Sequence, residues 1–182
     1  PPDFGGQTWT IPDSGAGGDI DVDTSGRAIA AANFESNYGA LDETVNGDFY
    51  VEGTFEFDPG GSYTIGAEFD FPGVCMFLDE TDPAVGVLAF YYMVFDGTYN
   101  LVYESTNDSY TADQSSSAAI PSGKFTVAIR RIGDVAYGLV NGAVVAILDL
   151  SGTTDYSGCV SMYPGFQLSS FTASVFPLCY HF

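Results

Sequence analysis

The sequence predicts an all-β protein folded as an antiparallel two-sheet β-sandwich. Three observations predict it: apolar and polar residues alternate along short segments, turn-forming residues recur at roughly ten-residue intervals, and no segment keeps a helical period. The chain of 182 residues is 46% hydrophobic, which is enough for one substantial core. We therefore expect a single domain over residues 1–182, with residues 1–16 as a candidate N-terminal arm.

The opening acidic segment has two possible interpretations, a strand or a metal-binding loop. GGDIDVDTSG (17–26) alternates three aspartates with Ile20 and Val22, which is the period of a strand with one buried face. An EF-hand calcium loop would need glycine at its sixth position and glutamate at its twelfth, where Thr24 and Ala30 stand. The pattern therefore favours the strand, with a cation or open water near the three carboxylates.

Clear strand alternation begins at DFYVEGTFEF (48–57), whose Phe and Val residues fall at every second position. The alanine-rich stretch 28–41 before it contains several Asn and Gly residues, so it is predicted as a strand followed by a loop. Further strands are predicted, in order, at SYTIGAEF (62–69), GVCMFL (73–78), GVLAFYYMVF (86–95) and TYNLVYES (98–105), with Asp96-Gly97 as the hairpin turn between the last two.

The second half of the chain resumes this pattern after a polar stretch. Between Glu104 and Lys124 there is no sustained alternation, so a long loop is predicted. Asn141-Gly142 is the strongest hairpin signal, because both residues tolerate positive φ, and Gly133-Asp134 forms the turn before it. Strands are predicted at KFTVAIRR (124–131), DVAYGLV (134–140), AVVAILDL (143–150), GCVSMY (158–163) and FQLSSFTASVF (166–176).

The charge balance excludes several classes of partner. The chain has 24 acidic residues and a formal net charge of -20, so it repels nucleic-acid backbones and anionic lipid headgroups. No apolar run approaches the roughly 20 residues that span a bilayer, so membrane insertion is not expected. The acidic, lysine-poor composition is typical of a protein that works outside cells, and the start at Pro1 indicates a processed product or a piece of a longer chain.

Three cysteines and one histidine limit the chemistry further. Cys75 lies in the apolar run GVCMFL and is expected in the core. Cys159 and Cys179 would pair if the final strand returned beside GCVSM, although three cysteines allow three pairings. His181 is expected to be a tail residue, and without a second histidine neither a Cys/His zinc site nor a Ser-His-Asp triad is supported.

The order of three segments resembles a known fold family. FYVEGTFEF as an early core strand, GVLAFYYMVFDGTYNLVY as a central hairpin and KFTVAIRRIGDVAYGLVNGAVVAIL as a late meander are together similar to the concanavalin A-like jelly roll in its laminin-G-like form. With an opening strand from GGDIDVD to RAIAA, the resemblance covers nearly the whole chain. It implies a calcium ion at the rim of the sandwich, for which Asp82 is the candidate ligand and Asp79 a candidate helper; the alternative is a solvated acidic loop.

The resemblance also implies a comparison with glucanases of this fold, which carry an E-x-D-x-x-E stretch as their catalytic carboxylates. Glu68 and Asp70 begin such a stretch, but Gly73 stands where the second glutamate would be. Only acids of the following loop, residues 79–82, could replace it. We therefore predict that the protein is not an enzyme.

Three functional hypotheses follow. The first is a non-catalytic extracellular or virion-surface structural or adhesion module, such as a decoration, fibre or appendage protein, whose partners are other structural proteins of a particle or filament. The second is a carbohydrate-binding module, with surface glycans as partners and tyrosines that stack on sugars. The third, which the missing glutamate disfavours, is a glycoside hydrolase. The candidate stacking residues are Tyr91, Tyr92, Tyr99, Tyr103 and Tyr110.

Overall fold

The computed structural model describes residues 9–10, 20–22, 27–30, 38–57, 63–66, 70–78, 86–105, 109–152, 161–170 and 178–181. Within these ranges the regular structure is all β-strand, and every strand pairing is antiparallel. The predicted all-β, two-sheet sandwich is confirmed.

In chain order the described strands are β1 (Trp9–Thr10), β2 (Ile20–Val22), β3 (Ala28–Ala30), β4 (Tyr38–Leu41), β5 (Phe49–Glu56), β6 (Asp70–Phe77), β7 (Gly86–Met93), β8 (Thr98–Ser105), β9 (Ser109–Ser117), β10 (Phe125–Ile132), β11 (Val135–Val140), β12 (Ala143–Asp149), β13 (Tyr163–Ser170) and β14 (Leu178–His181). The first sheet has the order β1-β4-β13-β6-β7-β8-β9. The second sheet has the order β12-β11-β10-β5-β14-β3-β2.

The two sheets differ in how many of their faces are buried. In β7, Leu88, Phe90 and Tyr92 point into the main core between the sheets, whereas Val87 and Ala89 belong to a second apolar cluster on the opposite face. This central strand is buried on both faces, which is why its sequence is an almost continuous apolar run. In the second sheet, β5, β12 and the end of β10 from Ile129 alternate between more buried and more exposed residues, so this part of its outer face is open to solvent.

The two turns of the late meander have the predicted form. Asn141 and Gly142 have φ values of 49° and 78°, which is the left-handed pair of a two-residue hairpin, and they join β11 to β12 with Val140 opposite Ala143. The Asn141 side chain also accepts the backbone N–H of Thr126 at 3.0 Å, which fixes this turn to the start of β10. Gly133-Asp134 likewise joins β10 to β11.

The turn between β7 and β8 is longer than predicted. Met93 pairs with Thr98, so the connection contains the four residues 94–97 rather than Asp96-Gly97 alone. Val94 is fully buried, and the chain leaves the strand ladder there while keeping that side chain in the core. The strand predicted at 62–69 is also wrong for its described part, because residues 63–66 are irregular and end in a turn.

The polar stretch predicted as a long loop contains a strand. Residues Ser109–Ser117 form β9, the edge of the first sheet, and pair with β8 through a register shift between Tyr103 and Glu104. An edge strand is held by main-chain hydrogen bonds on one side and needs no apolar face, so its sequence shows no hydrophobic alternation. The side chains described in it, from Gln114 to Ser117, are exposed or half-buried.

The C-terminal segment is also part of a sheet. His181, predicted as a tail residue, lies in β14, which is inserted between β5 and β3 in the second sheet. Cys179 in the same strand is fully buried in the main core. A strand of only four residues, LCYH, is too short to show a strand period, so the sequence pattern did not reveal it.

The acidic opening segment is a strand where it is described. Ile20–Val22 forms β2 and pairs with β3, and Ile20 is buried in the main core. This confirms the strand interpretation of GGDIDVDTSG for these three residues. Asp19 and Asp23 lie outside the described residues.

The Asn141-Gly142 turn gives a test of the hairpin register. Replacing Gly142 by Val should lower the free energy of unfolding by about 1–2 kcal/mol, because a β-branched residue resists positive φ. No atom lies within 4 Å of a Cβ built at this position, so backbone strain alone is measured. Urea unfolding should show the loss, whereas Gly152→Val, at an equally open glycine without positive φ, should change stability little. Equal stability of the two variants would contradict the turn conformation.

Candidate functional site

Four side chains on adjacent strands form a row across the open face of the second sheet. Tyr50 in β5 pairs with Arg130 in β10, Arg130 with Tyr137 in β11, and Tyr137 with Ile147 in β12. Because residues directly opposite one another point to the same side of a sheet, all four project outward. Tyr50 and Ile147 are 52% and 54% exposed, Arg130 is exposed and Tyr137 half-buried. We call this set the outer row.

An open recess of about 460 Å³ lies at one end of the outer row. Its lining residues are Asp48, Phe49, Tyr50, Arg130, Arg131 and Ile132. The turn glycine Gly133 anchors this end: its N–H donates to Asp48 Oδ1 at 2.7 Å, and its carbonyl accepts from Arg131 Nε at 2.8 Å. The recess is therefore built on a braced hairpin end rather than on a loose loop.

Arg130 differs from the other basic residues of the chain. Arg27, Lys124 and Arg131 each interact with other groups of the protein. Among the residues that the structure describes, Arg130 has no hydrogen bond, ion pair or ring contact, although the chain carries 24 acidic residues. Arg130 is exposed and lies between two tyrosines on the neighbouring strands, and its guanidinium group carries hydrogen-bond donors and no acceptor.

Tyr50 is held in place by its neighbour on the same face of β5. Its hydroxyl donates to Glu52 Oε2 at 2.6 Å. This hydrogen bond, together with partial burial and the negative charge of Glu52, raises the pKa of Tyr50 to about 12. The hydroxyl is therefore neutral at physiological pH. A ring with a fixed hydroxyl and an open face can stack on a flat apolar surface such as the face of a sugar ring.

Four of the five tyrosines predicted to stack on sugars are buried. Tyr92, Tyr99 and Tyr103 point into the main core, and burial raises the pKa of Tyr92 and Tyr99. Tyr91 lies on the other face of the first sheet, only 9% exposed, with its ring edge-on to Phe71 at 5.7 Å. The prediction is wrong for these four because β7 and the middle of β8 are buried on both faces. Tyr110 lies in β9 opposite Glu104.

The sequence did contain a signal for the tyrosines of the outer row. Tyr50 alternates with half-buried Phe49 and buried Val51 and shares its face of β5 with Glu52, a pattern that places it on the solvent side. Tyr137 is similarly flanked by a buried alanine and a buried glycine in β11. An aromatic residue on the polar side of an alternating strand is a better candidate for binding than one within a continuous apolar run.

The predicted metal ligands Asp79 and Asp82 lie outside the described residues, so the calcium site stays a prediction. In the part of the chain that is described, no three His, Cys, Asp or Glu side chains are grouped so that they could hold a metal ion. Likewise, no helix in this part is long and apolar enough to cross a membrane. Cys75 is buried as predicted, while the pairing of Cys159 with Cys179 is untested because Cys159 is not described.

Strand β6 shows why the glucanase pattern ends early. Glu68 lies outside the described residues, and β6 continues after Asp70 as FPGVCMF without another carboxylate. A Cβ atom at Gly73 would lie 2.5 Å from the carbonyl oxygen of Phe90 and 2.7 Å from Tyr91 Cα. Because both are backbone atoms of β7, the position of the second glutamate cannot take any side chain without moving the neighbouring strand.

No protein-family model and no curated protein matches the chain. Solved structures do match it along almost its whole length. Carbohydrate-binding module CBM66 from Bacillus subtilis is 12% identical with a TM-score of 0.67, covering 96% of this chain and 93% of that one. The metal-free form of lectin I-B4 from Griffonia simplicifolia is 9% identical with a TM-score of 0.63, covering 94% of this chain and 89% of that one.

A catalytic protein is among the similar structures as well. The β-glucanase from Bacillus licheniformis is 11% identical with a TM-score of 0.61, covering 95% of this chain and 89% of that one. At such identities the likeness shows the fold and not the activity. The chain therefore has the concanavalin A-like jelly-roll fold, which binding proteins and glycoside hydrolases share.

The contact between Tyr50 and Glu52 can be tested by titration. The raised pKa means that the folded protein favours the neutral phenol, so the stability from this contact is complete below pH 10 and is lost as the pH rises towards 12. The difference in ultraviolet absorbance between the wild type and Tyr50→Phe should show a midpoint near 12. In a Glu52→Gln background the midpoint should move down towards 10. A wild-type midpoint at 10 would contradict the hydrogen bond.

The crowding at Gly73 gives a second test. Gly73→Ala should lower the free energy of unfolding by about 2–3 kcal/mol, because the added methyl group meets backbone atoms that cannot move aside individually. Gly152→Ala, where no atom lies within 4 Å of the added Cβ, is the matched control. Chemical denaturation measures both. If Gly73→Glu folded with wild-type stability, steric exclusion would not explain the missing glutamate.

Proposed function

We propose that this protein is a non-catalytic carbohydrate-binding domain whose binding surface is the outer row with its adjoining recess. The observation that carries the proposal is the row formed by exposed Tyr50, exposed Arg130 and half-buried Tyr137 across three paired strands. Aromatic rings supply flat apolar faces for sugar rings, and a guanidinium group supplies several hydrogen-bond donors for their oxygens. Strands hold these groups more rigidly than loops would, which reduces the entropy lost on binding.

The spacing of the row suits an oligosaccharide rather than a single sugar. Neighbouring strands lie about 4.8 Å apart, so Tyr50 and Tyr137, two strands apart, are separated by roughly 10 Å. The recess at the Tyr50 end adds a concave wall at the end of an otherwise flat face. A linear chain could lie across β5, β10 and β11 with its terminal unit in the recess.

Two observations support a binding function without catalysis. Gly73 leaves no room for the second carboxylate of the glucanase pattern, because its neighbours are backbone atoms of β7. The acids nearest the outer row also have other partners, since Asp48 accepts from Gly133 and Glu52 from Tyr50. A glycosidase instead needs two carboxyl groups facing each other across the scissile bond.

An extracellular or virion-surface location is part of the proposal. A net charge of -20 and a scarcity of lysine suit a domain that works in salt-containing fluid outside cells. A domain that binds glycans without cutting them could also attach a larger particle or filament to a glycan-covered surface. Such an adhesion role would use the same outer row, so it depends on the same binding experiment.

Binding should depend on both tyrosines of the outer row. On a glycan array followed by calorimetry with the best ligand, Tyr50→Ala and Tyr137→Ala should each weaken binding about tenfold, or ~1.4 kcal/mol, because each loses a stacking face. Ile65→Ala is the control, since Ile65 is 50% exposed but lies outside the second sheet. Unchanged affinity in both tyrosine variants would contradict the proposed site. Shortening of the bound glycan during prolonged incubation would contradict the non-catalytic assignment.

A further inference from the structure

We propose that the outer row selects acidic glycans, and that Arg130 recognises the carboxylate or sulfate group that these sugars carry. The inference rests on the proposed function and specifies its ligand class. It begins from one observation: an exposed arginine remains without a hydrogen bond or ion pair among the described residues of a chain that carries 24 acids and only four basic residues.

The acids near Arg130 are oriented towards other donors. Asp48, in the same recess, accepts the backbone N–H of Gly133 at 2.7 Å. Glu52, two residues from Tyr50 along β5, accepts the Tyr50 hydroxyl at 2.6 Å. Each carboxylate is thereby held by a neutral donor and does not form a salt bridge with Arg130. Neither acid forms an ion pair with Arg130, so its guanidinium donors can bind a ligand.

The chemistry of the guanidinium group suits an oxyanion better than a hydroxyl group. It presents a planar set of N–H donors and no acceptor, which matches the two oxygens of a carboxylate or sulfate. A sugar hydroxyl needs both a donor and an acceptor to satisfy it.

The flanking tyrosines place a sugar so that its acidic group reaches Arg130. Tyr50 and Tyr137 lie directly opposite Arg130 on the two neighbouring strands. Neighbouring strands lie roughly 4.8 Å apart, so a sugar ring stacked on either tyrosine lies beside the arginine side chain. The exocyclic carboxylate of a uronic acid, or a ring sulfate ester, projects from the edge of that ring. Stacking and ion pairing would then act on one monosaccharide unit.

The net charge of -20 does not prevent this contact at physiological salt. At 0.15 M ionic strength, exposed charges farther apart than about 8 Å are largely screened. A bound anion therefore interacts mainly with the charged groups close to it: Arg130 attracts the anion, and the carboxylates of Asp48 and Glu52 oppose part of that attraction. Acids elsewhere on the surface would reduce the rate of encounter more than the strength of the bound contact.

The experiment compares acidic oligosaccharides with their neutralised forms in 0.15 M NaCl. The carboxylate probes are oligomers of galacturonate, glucuronate and mannuronate, each paired with its methyl ester; the sulfate probe is a sulfated galactan paired with its desulfated form. We expect at least one acidic probe to bind at least tenfold more tightly than its partner. Comparing the affinities of the carboxylate probes with that of the sulfate probe identifies which acidic group the site prefers.

Three variants assign the selectivity to Arg130. Arg130→Gln should remove the preference for the acidic form, and Arg130→Lys should restore only part of it, because lysine keeps the charge but lacks the fork of donors. Lys124→Gln changes the net charge by the same amount at another exposed cation and should keep the preference. Circular dichroism and melting curves confirm that each variant is folded.

The possible results separate this inference from the proposed function. Equal binding of acidic and neutral forms, or a preference that survives Arg130→Gln, overturns the inference and leaves carbohydrate binding intact. Loss of the preference in Lys124→Gln to the same degree as in Arg130→Gln also overturns it, because net charge would then explain the effect. Failure of every glycan to bind in either form overturns both.

Discussion

The burial of the central strand β7 of the first sheet on both faces is the constraint on which the rest of the structure depends. Alternate side chains of β7 pack into the main core and into a second apolar cluster, so neither face of this strand offers polar groups to a ligand. The same close packing leaves no space for a side chain at Gly73. Among the described residues, the outer face of the second sheet is therefore the surface that combines exposure, aromatic rings and charge.

The outer row is in turn a product of simple strand alternation. In β10, Val127 and Ile129 point inward to the core, and Arg130 projects outward between residues of β5 and β11. The antiparallel register then sets a tyrosine on each side of it. Hydrogen bonds at the end of the hairpin, through Gly133, hold this part of the sheet in place. Packing on one side of the sheet thus organises the side chains of the outer row on the other.

Much of the fold could be predicted because it depends on local signals. The strand from Phe49, the Asn141-Gly142 turn and the buried Cys75 all follow from alternation and turn chemistry within a few residues. Strands β9 and β14 were missed because they depend on main-chain pairing with distant segments. Their own side chains carry no period that a sequence pattern could detect.

The site was harder to predict than the fold for a related physical reason. In the sequence, tyrosines are candidates wherever they cluster, but the densest cluster, around Tyr91 and Tyr92, is dense because it packs a strand with two buried faces. Whether an aromatic residue binds or packs depends on which face is covered, and that depends on the arrangement of both sheets. Likewise, the isolation of Arg130 depends on where its neighbouring acids point, which only the folded structure shows.

We propose that glycans bind on the open face of the second sheet. The most direct test is to map the contact by backbone and side-chain nuclear magnetic resonance, titrating the isotope-labelled protein with its best glycan ligand. The account predicts that the shifts concentrate on Tyr50, Arg130, Tyr137 and the backbone of β5, β10 and β11. Shifts confined to β6, β7 and β8 of the first sheet, with the outer row unaffected, would contradict it.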